Sequence, residues 1–284
     1  MKLVTSARAL QEFLDADRAV GKTVGFVPTM GALHAGHLSL VDLAQKNSDV
    51  SVVSIFVNPL QFSPGEDFDK YPRSLEADSE LLTEHKVDYL FAPSANDIYP
   101  NGTEITQRAG VVGSTFEGAS RPGHFDGMLT VVNRLMEIVE PNVVVFGEKD
   151  AQQVFMVRKL IGARFKDCQF LEGPTLRESS GLAMSSRNRN LDAEQTRIAE
   201  GIARQVIKLK AELETGALVS EAISAHTEAL RSLAQTKLDY LAVIDPQIFR
   251  PVDDNYQGAA KIIVAAKVGE VRLIDTMNVT IGKQ

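Results

Sequence analysis

Two histidines three residues apart, His34 and His37, mark the part of this chain where reactive groups concentrate. They sit in Pro28-Thr29-Met30-Gly31-Ala32-Leu33-His34-Ala35-Gly36-His37, directly after a buried-looking apolar run and at the start of a helical pattern. That spacing sets both imidazoles on one face of a first helical turn, beside backbone N–H groups without intrahelical partners and the positive end of the helix dipole. An anion placed there would meet two ring donors and several backbone donors, and Gly31 and Gly36 let the backbone come close. Two plainer readings compete: histidines that only cap a helix, and a metal site. Zinc normally takes at least three protein ligands, and the remaining histidines are His85, His124 and His226. Neither a Walker-type GxxxxGK[ST] nor a GxGxxG follows the first strand, so the ordinary P-loop and dinucleotide fingerprints are absent.

Four further segments carry groups of the right kind. In Ser54–Phe62 (SIFVNPLQF), Asn58 and Gln61 follow an apolar strand, and neutral amides there can read hydroxyl and carboxylate groups; a polar turn around Pro59 is the competing account. Glu117–Met128 (EGASRPGHFDGM) sets Arg121 and His124 in a loop before a helix, although a loop arginine is usually solvated. In Val143–Gln153 (VVVFGEKDAQQ), Lys149 follows Gly147 and Glu148 as a compact cation suited to a phosphate. Asp150 either caps the next helix or holds Lys149 or a ribose hydroxyl. Gln153, in that helix's first turn, is expected at the same strand-end cleft as Gln61. Finally, Ser185, Ser186 and Arg187 form a donor-rich loop able to close over a triphosphate, or else a merely soluble linker.

Short apolar runs alternate with helical patterns through the first two-thirds of the chain. Residues 23–29, 49–57, 87–93, 143–148 and 168–173 read as strands, with helices between them around 38–44, 75–86, 129–139 and 151–163. This alternation predicts βαβ units and a parallel, Rossmann-like α/β sheet, with ligands beyond the C-terminal strand ends. The last third changes texture. Asp192 predicts an N-cap with Gln195 as its capping-box partner, and Ile198, Ile202, Val206, Leu209 and Leu213 keep a helical period. A second helix over 220–233 and strands at 238–245, 261–268 and 271–279 follow, the last two joined by a tight turn at Gly269-Glu270. The expected division is a nucleotide-binding α/β domain over 1–176 and a smaller α+β lid domain over 177–284.

Composition narrows the classes. Of 284 residues, 30 are Lys or Arg and 37 Asp or Glu, giving a net charge of −7 that disfavours nucleic acid and anionic membrane surfaces as partners. A small anion remains compatible, because a few local cations override a distant net charge. A single cysteine, Cys168, asks for no oxidising compartment. The first 22 residues carry Arg8, Glu12, Asp15, Asp17 and Arg18, which interrupt any signal-peptide core, and no apolar run is long enough to span a bilayer. A cytoplasmic protein is expected.

Taken in order, PTMGALHAGH, SIFVNPLQF, EDFDKYPR, EGASRPGHF, FGEKDAQQ and GLAMSSRN make the chain resemble, nearly end to end, the pantoate–β-alanine ligases. These belong to the nucleotidyltransferase superfamily with a His-x-Gly-His signature. The resemblance implies condensation of pantoate with β-alanine through a pantoyl adenylate, releasing pyrophosphate and AMP and serving pantothenate and coenzyme A biosynthesis. It implies that His34, His37, Lys149 and Arg187 act on the ATP phosphates, with His37 the better proton donor, and that Ser185 and Ser186 bind phosphate oxygens. The implied nucleotide site also takes in Met30, Gly31, Ala32, Leu33, Ala35 and Gly36. Gly147, Glu148, Asp150, Leu176 and Met184 complete it. Gln61 and Gln153 are the implied pantoate ligands, with Gln61 also placing β-alanine. Mg2+ is expected with ATP, held mainly through phosphates and with no nameable protein ligand, and a homodimer is implied by family alone. One departure from the wider superfamily stands out: its Lys-Met-Ser-Lys-Ser loop reads Ala183-Met184-Ser185-Ser186-Arg187 here, so the first lysine's charge must come from elsewhere, and Lys149 is the obvious source. The rivals are a cofactor adenylyltransferase, which would need a second phosphate site in place of the two glutamines, and a nucleotide sensor without turnover.

Overall fold

The computed structural model describes residues 1–62, 68 and 74–282; most of the EDFDKYPR motif lies outside the described residues. The chain divides into two compact units, one of residues 1–147 with 156–173, the other of 148–155 with 174–284. A single break at 176/177 was expected, whereas this division assigns a short internal stretch, Glu148–Phe155, to the second unit.

The first unit is built on a six-stranded, wholly parallel sheet. Its elements in chain order are β1 (Lys2–Val4), α1 (Ala7–Ala19), β2 (Val24–Thr29), α2 (Ala35–Lys46), β3 (Val50–Ile55), α3 (Leu75–Glu84) and β4 (Tyr89–Phe91). Then follow α4 (Ala95–Ile98), α5 (Glu117–Ser120), α6 (His124–Val139), β5 (Val143–Gly147), α7 (Ala151–Arg164), whose first turns group with the second unit, and β6 (Gln169–Gly173). Strand order is β1-β4-β3-β2-β5-β6, so the winding reverses between β2 and β5. β2 pairs with β3 as far as Thr29 but with β5 only at Gly25 and Phe26. Pro28 has no N–H to extend the ladder, and beyond Phe26 the two strands run on unpaired with each other toward their C-terminal ends. This is the switch-point crevice where α/β sheets bind ligands.

Buried strand residues explain the near-continuous apolar runs: Val24, Phe26, Val52, Val53, Val144 and Val145 are essentially inaccessible. Leu40, Val41 and Ala44 of α2 and Leu82 of α3 pack on this core. The α6 helix is buried on most of its faces and begins at His124, five residues before the sequence pattern suggested, because Gly123 takes the left-handed conformation at its N-cap. The sequence reading left β1 and α1 unassigned; α1 is started by Ser6, whose hydroxyl accepts from Ala9 N.

The second unit carries the helices α8 (Ala193–Glu214) and α9 (Val219–Arg231) and the strands β7 (Thr236–Asp245), β8 (Arg250–Pro251), β9 (Gly258–Val268) and β10 (Val271–Ile281). Its antiparallel order is β10-β9-β7-β8. The expected capping box at Asp192 and Gln195 is present, and β9 and β10 turn tightly at Gly269 (φ 56°). Ile202, Val206, Leu209 and Leu213 of α8 face Ile262, Val264 and Val279 of the sheet. The short strand β8 went unpredicted.

Candidate active site

Each group of candidate residues is set by its own unit. In the first, β2 delivers the chain to Met30, and the turn that follows is held open by strained backbone. Gly31 has φ 84° and Ala32, unusually for a residue with a side chain, φ 52°. The device that holds it is Asp78, a 2% exposed carboxylate on α3 that accepts from Ala32 N at 2.9 Å and Leu33 N at 2.8 Å. Sequence reading missed Asp78. Its signal was an acidic residue four positions before Leu82, on the face that the helical period buries.

His34 is the N-cap of α2, its Nδ1 accepting from Gly36 N at 3.1 Å. The capping reading therefore holds for one of its nitrogens. It also fixes the chemistry of the other: with Nδ1 accepting, the neutral ring carries its proton on Nε2, a donor. The His37 ring lies 4.2 Å from that of His34, centroid to centroid. The two rings do share the first turn of α2, as their spacing suggested.

Asn58 and Gln61 divide their roles. Asn58, 1% exposed, turns inward: its amide donates to Gly127 O and Gln61 Oε1, and its oxygen accepts from Tyr99 Oη at 2.8 Å and Leu60 N. It is a hub that shapes the turn, and the ligand-reading role first considered for it gives way to these inward bonds. Gln61 ends that 3-10 turn, with Nε2 3.1 Å from Met30 Sδ, a weak acceptor, so the amide retains hydrogen-bonding capacity. Its backbone carbonyl accepts from His124 Nδ1 at 2.8 Å, and Arg121 lies 3.2 Å from His124 Nε2. His124, the first residue of α6, and Arg121 before it thus support Gln61 from behind. Gly127 of α6 makes this packing possible, since a Cβ there would fall 2.0 Å from Leu60 O.

The second unit organises the cation. Lys149 Nζ donates to Met184 O at 3.2 Å. Surrounding protein pushes its pKa below the ordinary lysine value, opposed by the charges of Asp150 and Asp275 and reinforced by Arg187. Glu148 points elsewhere, accepting from Thr175 N and Asn278 Nδ2 and lying 3.9 Å from Lys261 Nζ. Its carboxylate is thus engaged in anchoring the turn. Asp150 occupies the position before α7, its carbonyl accepting from Val154 N, and Gln153 lies in the first turn. Leu176 O accepts from Met184 N at 2.9 Å. Ser185 caps the 3-10 turn Ser186–Asn190 by accepting from Arg187 N, which leaves its own hydroxyl proton free to donate. This loop lies within the second unit, where Arg177 ties the segment to β10 through Asp275.

Among the described residues no helix is long and apolar enough to cross a membrane, and no group of three or more His, Cys, Asp or Glu is placed to hold a metal ion.

A doubly wound parallel sheet with histidines at its switch point, in a chain whose second unit carries a half-buried lysine, is the layout of an α/β enzyme that handles a small anionic ligand. The particular family follows from comparison: the family model for pantoate–β-alanine ligase matches residues 2–278, and the chain belongs to that family. The pantothenate synthetase of Leifsonia xyli subsp. xyli is 45% identical over 99% of this chain and 97% of its own. The crystal structure of the Thermus thermophilus pantothenate synthetase superposes with a TM-score of 0.91 at 43% identity, covering 98% of this chain and 99% of that one. The Francisella tularensis pantoate–β-alanine ligase, complexed with β,γ-ATP and β-alanine, gives 0.80 at 35% identity, covering 98% and 97%. The chain is accordingly an enzyme, a ligase of pantothenate formation.

Proposed function

We propose that the ligase works in two steps. The carboxylate of (R)-pantoate attacks the α-phosphorus of ATP; an O–P bond forms, the α–β bridging bond breaks, and pyrophosphate leaves. The neutral amine of β-alanine then attacks the acyl carbon of pantoyl adenylate, the C–O bond to AMP breaks, and the amine loses a proton. Pantoate is already ionised near neutral pH, so the first step requires positioning and charge stabilisation and no general base.

The observation that carries this reading is the His34–His37 pair at the end of β2, where α2 starts and a protonated Nε2 follows from the cap. His34 and His37 in the first unit, and Lys149, Ser185, Ser186 and Arg187 in the second, are assigned to the phosphates. Met30–Leu33, Ala35, Gly36, Gly147, Asp150, Leu176 and Met184 are assigned to the rest of the nucleotide site. Glu148 is retained there only as an anchor of the turn. Gln61 and Gln153 are assigned to pantoate, and Gln61 also to β-alanine. The complex of the Francisella ligase with β,γ-ATP and β-alanine supports the two substrates. Magnesium enters as part of the ATP substrate, carried by its phosphates. A cytoplasmic homodimer supplying coenzyme A biosynthesis is inferred from family membership.

The deciding measurement supplies ATP and pantoate, then adds β-alanine. Pyrophosphate release that depends on pantoate, followed by AMP and pantothenate by mass, is expected. AMP formation that is indifferent to either substrate overturns the reading.

A further inference from the structure

Lys149 is surrounded by an arrangement that the reaction scheme does not use. Arg177 forms a bidentate pair with Asp275, NH1 to Oδ2 at 2.7 Å and NH2 to Oδ1 at 2.9 Å. The same guanidinium donates to Gly181 O and Thr276 O, at 3.0 and 2.9 Å. Asp275, 7% exposed, also accepts from Thr276 N, and the Thr276 hydroxyl donates to Lys149 O at 2.8 Å. Two neighbouring residues of β10 therefore grip both pieces of the proposed phosphate machinery: the 177–183 turn that leads into Met184–Arg187, and the main chain of Lys149.

Leu182 and Ala183 bury the start of this loop. Ala183, Ser185 and Asn188 line a small cavity with Ile202, Val264 and Asp275. Polar anchors add to this packing. A fork-to-fork arginine–carboxylate pair fixes angle as well as distance, which lysine could not do.

We infer that Arg177 and Asp275 are positioning residues for adenylation: together they fix the 184–187 loop, and Asp275 in addition sets the field in which Lys149 keeps its charge. This rests on the assignment of Lys149 to ATP phosphates. The charged groups around Lys149 are Asp150, Asp275 and Arg187, the two carboxylates supporting the ammonium and the arginine opposing it.

The test is the pH profile of pantoate-dependent pyrophosphate release in wild type, Asp275→Asn and Arg177→Met. Loss of a positioning group is expected to lower the rate by about tenfold or more in each variant, with the pantoate KM within about twofold of wild type. The alkaline limb separates a positioning role from a structural one. In Asp275→Asn a supporting negative charge is gone and the limb moves to lower pH. In Arg177→Met the same carboxylate is left uncompensated and the limb moves to higher pH. Limbs that stay put, or move the same way in both, overturn the inference. If either single variant fails to melt cooperatively, Arg177→Met/Asp275→Leu removes both charges while filling the space; it is expected to fold and adenylate slowly, and a wild-type rate in it overturns the inference. A wild type that releases no pyrophosphate with pantoate overturns the functional reading and this one together. An active wild type with unaltered variants overturns this one alone.

Discussion

Lys149 is the side chain on which most of the proposed charge balance rests, and the nearby loop shows why. The Ala183–Arg187 loop carries no lysine, and Lys149 reaches Met184 O from outside it. Lys149→Ala is expected to reduce pantoate-dependent pyrophosphate release by about 10²–10³-fold, the usual effect of removing one donor from a developing anion; quench-flow of the first half-reaction measures it. Its ionisation also bears on stability. Burial lowers its pKa from the ordinary 10.5. Between the lowered value and the ordinary one, the unfolded chain holds a proton that the native chain has released, so native stability rises with pH across that interval. Below the interval both forms are protonated, and the cost of burying the ammonium stands in full. Lys149→Met should therefore be the more stable protein at neutral pH, with an advantage that shrinks as pH climbs toward 10.5; denaturant titrations at several pH values read the difference. At this scale the sequence was informative about residue type and poor about partners. His34, Lys149 and Ser185 could be picked out by spacing. That His34 spends one nitrogen on a cap, or that Glu148 turns toward Asn278, depends on atoms more than a hundred positions apart or on a backbone angle, neither of which a motif encodes.

The elements matter because two of them shape turns they do not belong to. Through Asp78, α3 bonds two amides of the strained Met30–Leu33 turn. Asp78→Ala leaves both donors buried, and a loss of about 1–3 kcal/mol per amide is expected, together with slower adenylation; thermal melts and the pyrophosphate assay check the two parts. Gly127 lets α6 lie against Leu60 and Gln61, and Gly127→Ala drives a methyl into their backbone. Such overpacking is expected to cost about 1–3 kcal/mol, and because Gln61 moves with its turn, the pantoate KM should rise more than that of ATP; steady-state kinetics with each substrate varied would show it. The βαβ rhythm was readable because strands buried on both faces leave uninterrupted apolar runs. The short strands β1 and β8 were not, since two or three residues carry no period. Nor could periodicity show where β2 parts from β5; that needed the register, which stops at Phe26.

For the molecule as a whole, the net charge of −7 acts on rates. An acidic surface offers a polyanionic nucleotide no long-range attraction, so kcat/KM for ATP should stay level or rise as salt increases from about 0.01 to 0.15 M, while the Debye length shrinks from about 30 to 8 Å; a steep fall would reveal steering. A change of texture near residues 175–190 suggested a domain break, but the assignment of Glu148–Phe155 to the later unit could not be read from the sequence. That stretch looks in sequence like a plain strand-to-helix connection. The bonds that keep it in the second unit come from Thr276 and Asn278, which follow it by 127 and 130 residues. Those partners lie on β10. During synthesis, then, Lys149 leaves the ribosome long before its β10 partners exist, and a chain without β10 would carry every sequence motif yet lack the strand that grips them. The signature is written early, and the grip on it arrives only with β10.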